Sequence, residues 1–175
     1  VKALRWILGI ALGAWICQYL LALAVPYAVM GLLHKRGGES YGHNRIQVMT
    51  RVDATSRTVV RPSPDLLYAM CIYDLDHGPL RIVAPVPDRY WSMQFYQMNT
   101  DNYAGLTNQR DEHWRIGTTA EVTLLPPGGD PSAYSGEIVE SPTKRGVVLL
   151  RASAIGEGND QEQALEESRC TSLAG

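Results

Sequence analysis

The chain has 175 residues, 45% hydrophobic and 19% charged, which is about one domain's worth and excludes a disordered or low-complexity polymer. No formally charged side chain occurs from Trp6 to Leu33, a pattern that disfavours an ordinary cytoplasmic enzyme. From His34 onward 14 Lys and Arg face 18 Asp and Glu with no long basic run, so a nucleic-acid surface, which needs a positive face for phosphates, is set aside.

Residues 1–5 form a short flank with Lys2 and Arg5, and residues 6–33 are expected to be a transmembrane helix, since the run exceeds the roughly 18 apolar residues needed. Its glycines and Pro26 are compatible with that, because a helix satisfies its own backbone groups in lipid. Gly9 and Gly13 are spaced as a G-x-x-x-G helix-packing pair, and Gln18 is a lone amide that tends to seek a protein partner in hydrocarbon. Lipids and other integral membrane subunits are the expected partners. A cleaved signal peptide is the rival reading, with Ala22-Leu23-Ala24 as the small-x-small site. The apolar run continues past that site to Leu33, which favours an uncleaved anchor. Topology is contested within the sequence itself. Lys2 and Arg5 favour a cytoplasmic start, but Lys35, Arg36, Arg45 and Arg51 follow the run closely.

Residues 34–45 are polar and glycine-rich and predict a flexible neck. Residues 46–175 predict a mainly-β soluble domain, a small sandwich or partly open barrel, ending in a short helix. Strands are expected at Ile46–Val52 with a continuation at Thr58–Arg61, then at Leu67–Leu75 and Leu80–Ala84. The clearest is Arg89–Met98, where Trp91, Met93, Phe95 and Gln97 share a face that reads as buried. Tyr90, Ser92, Gln94, Tyr96 and Met98 share the other, a mixed face able to line a shallow groove. Residues 100–117 read as a long polar excursion. Strands follow at Glu121–Leu125, Ser135–Ser141 and Gly146–Arg151, and Asp160–Arg169 reads as an acidic helix capped by Asn159 or Asp160.

The stretch Arg61–Arg110 resembles the bacterial cell-envelope family known as domain of unknown function 1254. Pro64, Asp65, Leu67 and Tyr68 match its first motif, Gly78 and Pro79 its Gly-Pro, and Pro87, Asp88, Arg89 and Tyr90 its next strand opening, with Asn102 and Arg110 beyond. Ser141–Asp160 is similar to its later Pro-Thr strand and Arg…Gly…Asp ending. Leu66 stands where the family has threonine, and Ser63 where asparagine is common. The resemblance implies a short form with one N-terminal helix and no second domain. It also implies a bacterial inner-membrane protein whose soluble domain is periplasmic. It supplies no reaction.

Each candidate for chemistry has a plainer reading. Asp74, Asp76 and His77 can be a cation cluster, but Asp76-His77-Gly78-Pro79 is also an ordinary turn, and the turn is favoured. His113 with Asp111 and Glu112 reads as a wet loop rim rather than a base and carboxylate. Cys71 has no nearby histidine in sequence and reads as core. Cys71 and Cys170 form no C-x-x-C, and either bridge in an oxidising compartment or are both buried thiols. No nucleophile elbow, zinc-protease or phosphate-loop motif occurs. Asp65, Tyr68, Arg89, Tyr90, Tyr96 and Arg110 are the candidate network, either a structural Asp–Arg pairing with its surroundings or a small-molecule pocket. No catalytic residue, cofactor or metal is expected. The reading that results is a non-catalytic, membrane-anchored accessory subunit of a larger membrane complex, such as a respiratory, photosynthetic or envelope transport assembly. The alternative is an envelope small-molecule or lipid binder, or an enzyme, using the Tyr68, Arg89, Tyr90 and Tyr96 surface.

Overall fold

The computed structural model describes residues 2–51, 63–109, 116–155 and 159–173. Thr58–Arg61, Arg110 and the His113 group lie outside these residues.

Helix α1 spans Lys2–Tyr41, 40 residues, and runs through Pro26 without interruption. It is long and apolar enough to cross a membrane. Up to Val29 its residues are exposed, apart from a half-buried Pro26, and at 1.5 Å per residue this free part reaches about 42 Å. The stretch expected to be a flexible neck instead continues the helix, and Met30, His34 and Gly37 are buried against the soluble domain. The glycines that suggested flexibility serve close approach. A Cβ on Gly37 would fall on Ile72 Cδ1, and one on Gly38 would fall on the His43 ring.

The soluble domain is a sandwich of two unclosed sheets. Its strands are β1 (Ile46–Val48), β2 (Leu66–Asp74), β3 (Leu80–Pro85), β4 (Trp91–Gln97), β5 (Asn102–Thr107), β6 (Thr119–Leu125), β7 (Glu137–Glu140), β8 (Arg145–Ser153) and β9 (Arg169–Ser172). Sheet A has the order β1-β2-β8-β4-β5 and sheet B the order β7-β6-β3-β9; every neighbouring pair is antiparallel except β6 with β7. Helix α2 (Asp160–Glu167) packs on β2, β3 and β8 through Ala164 and Leu165.

The core lies between the sheets and follows strand parity. Leu67, Ala69, Cys71 and Tyr73 of β2 meet Trp91, Met93 and Phe95 of β4 and Val148, Leu150 and Ala152 of β8 in one cluster with Leu80, Ile82, Ala84, Ala120, Val122 and Leu124 of sheet B. The expected buried face of β4 is therefore present, with Gln97 only half-buried at its end. A second cluster sits on the outer face of sheet A. There Met70, Ile72 and Val147 are buried with Met30 of α1, and Leu33, Met49, Tyr96, Met98 and Leu149 pack around them. This double cover explains why β2 is apolar at consecutive positions. Two strands differ from expectation. The polar excursion contains β5, and β9 follows α2 directly.

Cys71 and Cys170 form a disulfide that ties β2 of sheet A to β9 of sheet B. Both are buried, and Cys17 on α1 is a free, exposed cysteine.

Candidate functional site

The candidate network divides between strand ends and one sheet face. Asp65 and Arg89 are both exposed, and no ion pair among the described residues includes either. Their backbones are engaged instead: the Asp65 carbonyl accepts from Ala154 N–H, and the Arg89 carbonyl accepts from the Asn108 amide. Tyr68, Tyr90 and Tyr96 are half-buried and lie on the outer face of sheet A. Tyr96 belongs with the apolar cluster beneath α1, away from the other two. Gly9, Gly13 and Gln18 lie on the free part of α1, and a Cβ on either glycine would meet nothing in this chain within 4 Å.

Strand register assembles a row that the sequence alone did not reveal. Tyr68 of β2 stands opposite Arg151 of β8, Arg151 opposite Ser92 of β4, and Ser92 opposite Thr107 of β5. Such directly opposed side chains have Cβ atoms roughly 5 Å apart. Ser92 is buried, and its hydroxyl is 3.0 Å from Tyr90 Oη and accepts from Arg151 Nε at 3.3 Å. Tyr68 Oη accepts from the Ser63 N–H at 2.9 Å. Arg151 was missed because both faces of β8 carry apolar residues. The period-2 spacing of Arg145 and Arg151 is the only sequence signal that could have put them on one face.

One row pair further along, that face joins α1. The His34 and His43 rings stack with centroids 4.2 Å apart, and His43 Nε2 lies 3.1 Å from His34 Nδ1. His34 Nε2 is 3.3 Å from the Tyr73 carbonyl. If His34 Nε2–H donates to that carbonyl, its Nδ1 is left to accept from His43, so both contacts are satisfied by neutral His34. Burial pushes the His34 pKa below its ordinary value, and the His43 charge acts in the same direction. Asn44 fixes the chain leaving the helix by donating to the Asp74 carbonyl and accepting from the Asp74 N–H.

The acidic turn pairs with cations of its own chain. Arg145 reaches Asp74 at 3.0 Å and Asp76 at 2.9 Å, and Lys144 reaches Asp76 at 3.2 Å. Asp74 Oδ1 also accepts from the Asp76 N–H, the local bond of an Asx turn, and His77 is exposed. Among the described residues no three His, Cys, Asp or Glu side chains converge for a metal. Inside the sandwich, Tyr73 Oη meets Ser141 Oγ at 2.9 Å and Tyr103 Oη at 3.1 Å. Burial raises the pKa of both phenols, which keeps them protonated and makes them hydrogen-bonding groups rather than bases.

A long apolar helix fused to a two-sheet sandwich with a disulfide between the sheets defines a membrane-anchored protein with a β-rich extramembrane domain. The chain matches the family model described as "Protein of unknown function (DUF1254)" over residues 43–171, and it belongs to that family. No curated protein matches it. Among solved structures, the VPA0106 protein from Vibrio parahaemolyticus is similar in fold, with a TM-score of 0.63 at 17% identity over 89% of this chain and 36% of that one. A putative uncharacterized protein from Burkholderia cenocepacia aligns with a TM-score of 0.48 at 13% identity, over 81% of this chain and 38% of that one. This chain thus spans little more than a third of the length of either structure.

Proposed function

We propose that the protein is a non-catalytic accessory subunit of a larger membrane protein complex in a bacterial inner membrane, with its β-domain on the periplasmic side. The observation that carries this reading is the joint between α1 and sheet A. A protein that needs only tethering is served by a flexible linker, and inter-domain motion is the default where contacts are few. Here one unbroken helix buries Met30, His34 and Gly37 on the domain, so the domain is held in a set pose relative to the intramembrane surface. Such a pose is useful when a partner contacts helix and domain together. Gly9, Gly13 and Gln18 offer the helix side of that contact, because small residues permit close packing and an amide seeks a hydrogen bond in lipid. The disulfide supports the orientation, since buried structural bridges form and persist in oxidising compartments.

Gentle detergent extraction from native membranes, followed by native gel or size exclusion and mass spectrometry of co-migrating chains, tests the reading. Stoichiometric migration with a defined large complex is expected. Migration as an isolated monomer or homodimer would refute it.

A further inference from the structure

We infer that the outer face of sheet A carries an oxyanion-binding site, built on Arg151, Ser92, Tyr68 and Tyr90, which takes a carboxylate or phosphate group. The fold gives its other strand-borne arginines partners of their own. Arg81 meets Glu121 at 2.6 Å, Arg145 meets Asp74 and Asp76, and Arg169 donates to the carbonyls of Glu166 and Ser168. Arg151 differs. It is half-buried on β8, with β2 on one side and β4 on the other, and among the described residues no carboxylate lies within ion-pair distance of it. Its bonded partner among them is the Ser92 hydroxyl, reached through Nε. A partly desolvated cation that lacks a counter-charge is costly, and an anion arriving there offsets that cost.

The neighbouring groups are set up to receive such an anion. Nε is occupied by Ser92, and among the described residues no side chain engages the two terminal nitrogens, which form a planar, two-pronged donor edge, the shape that matches two oxygens of a carboxylate or phosphate. Ser92 is itself buried and held by Tyr90, so it fixes the plane of the guanidinium. Tyr68 stands opposite Arg151 in register; its oxygen accepts from Ser63 N–H, and among the described residues its own proton has no acceptor. In the next row on this face Met70 is already covered by the cluster beneath α1, and half-buried Leu149 and Gln94 border the site, an edge that suits an anion carrying a short hydrocarbon tail. Arg89, the arginine that the sequence pattern brings forward, stays exposed and makes no contact with this row in the hydrogen bonds or ion pairs of the described residues.

Calorimetric titration of the full chain in an uncharged detergent at low salt tests the inference, with inorganic phosphate and octanoate as separate probes. Saturable binding of at least one probe is expected, weakened about tenfold or more by Arg151→Gln, which removes the charge, and several-fold by Tyr68→Phe, which removes a donor, or by Ser92→Ala, which removes the bond that orients the guanidinium. Arg151→Lys keeps the charge and the alkyl stem but not the two-pronged edge, and is expected to bind more weakly than the native chain even if the glutamine variant does not fold. Binding of phosphate alone would assign a phosphate group, binding of octanoate alone a carboxylate with an apolar tail. Failure of both probes to bind the native chain by about 10 mM would overturn the site, as would binding that Arg151→Lys leaves unchanged or that Arg89→Gln weakens as much as Arg151→Gln. The outcome is independent of whether the protein migrates within a complex.

Discussion

Removing the disulfide is the perturbation whose size the structure sets most directly. Cys71 and Cys170 are separated by 99 positions, and both sulfurs lie in the core between the sheets. In the chain-entropy model, opening a loop of that length releases about 4.7 kcal/mol of unfolded-state constraint, and native bridges in small domains are typically worth about 2–5 kcal/mol. The double variant Cys71→Ala/Cys170→Ala is therefore expected to lose about 3–5 kcal/mol of stability. For a chain of this size that is a fall in Tm of roughly 10 °C or more. Urea unfolding of the detergent-held chain, followed by fluorescence of the buried Trp91 together with far-ultraviolet circular dichroism, reads the loss; a parallel alkylation assay on the unfolded, unreduced chain is expected to label Cys17 alone. A stability loss below about 1 kcal/mol in the double variant would show that the bridge does not constrain the unfolded chain as reasoned. Alkylation of all three cysteines before reduction would remove the premise, and with it the support for an oxidising compartment.

Two further outcomes concern the joint. Gly37→Leu drives a side chain into the space held by Ile72 and Leu33, an overpacking that costs about 1–3 kcal/mol and is expected to free residues 34–45 to protease while the sandwich remains folded. Unchanged proteolysis would show that the helix base is not seated as described. The His34 pKa is lowered when α1 is docked, so docking favours the neutral ring; its contribution is present above the ordinary pKa of 6.5 and is lost as pH falls below it. His43 and Arg145 oppose charging of that ring and Asp74 favours it. Amide exchange across residues 34–41 is thus expected to be faster at pH 5 than at pH 7 relative to the sandwich core, and His34→Gln should abolish the difference; an equal pH response in the variant would assign it to another group.

The strands that were legible in the sequence are those whose pattern is decided locally. β4 shows clean alternation because one face meets the inter-sheet core and the other is mixed, so Trp91, Met93 and Phe95 announce themselves. β5 is nearly silent. It is an edge strand in which Leu106 alone is buried, so its composition is that of a loop, and only pairing with β4 makes it a strand. β9 is four residues long and buries only Cys170, and its place beside β3 is a long-range choice of partner that no local window contains. Residues 34–45 read as a neck in the sequence for a related reason. Gly37 and Gly38 carry the usual sign of flexibility, but whether a glycine loosens a chain or admits a neighbour depends on Ile72 and His43, which lie elsewhere in the sequence.

The two halves of the outer face of sheet A impose opposite requirements on the same five strands. Toward the Asp74 end, Met70, Ile72 and Val147 would be open to water without Met30 and the last turns of α1 above them. The packing unit therefore begins near Met30, although the family match begins at residue 43, and a fragment started at the family boundary would lack the residues that cover this cluster. Toward the Leu66 end the same face turns polar at Arg151, Ser92 and Tyr68, where no helix is needed and an apolar cover would strand a guanidinium. Among the described residues the helix accordingly sits over one half only. Membrane attachment and the proposed anion site thus share one sheet face, and the register between β2, β8 and β4 is what keeps them from overlapping.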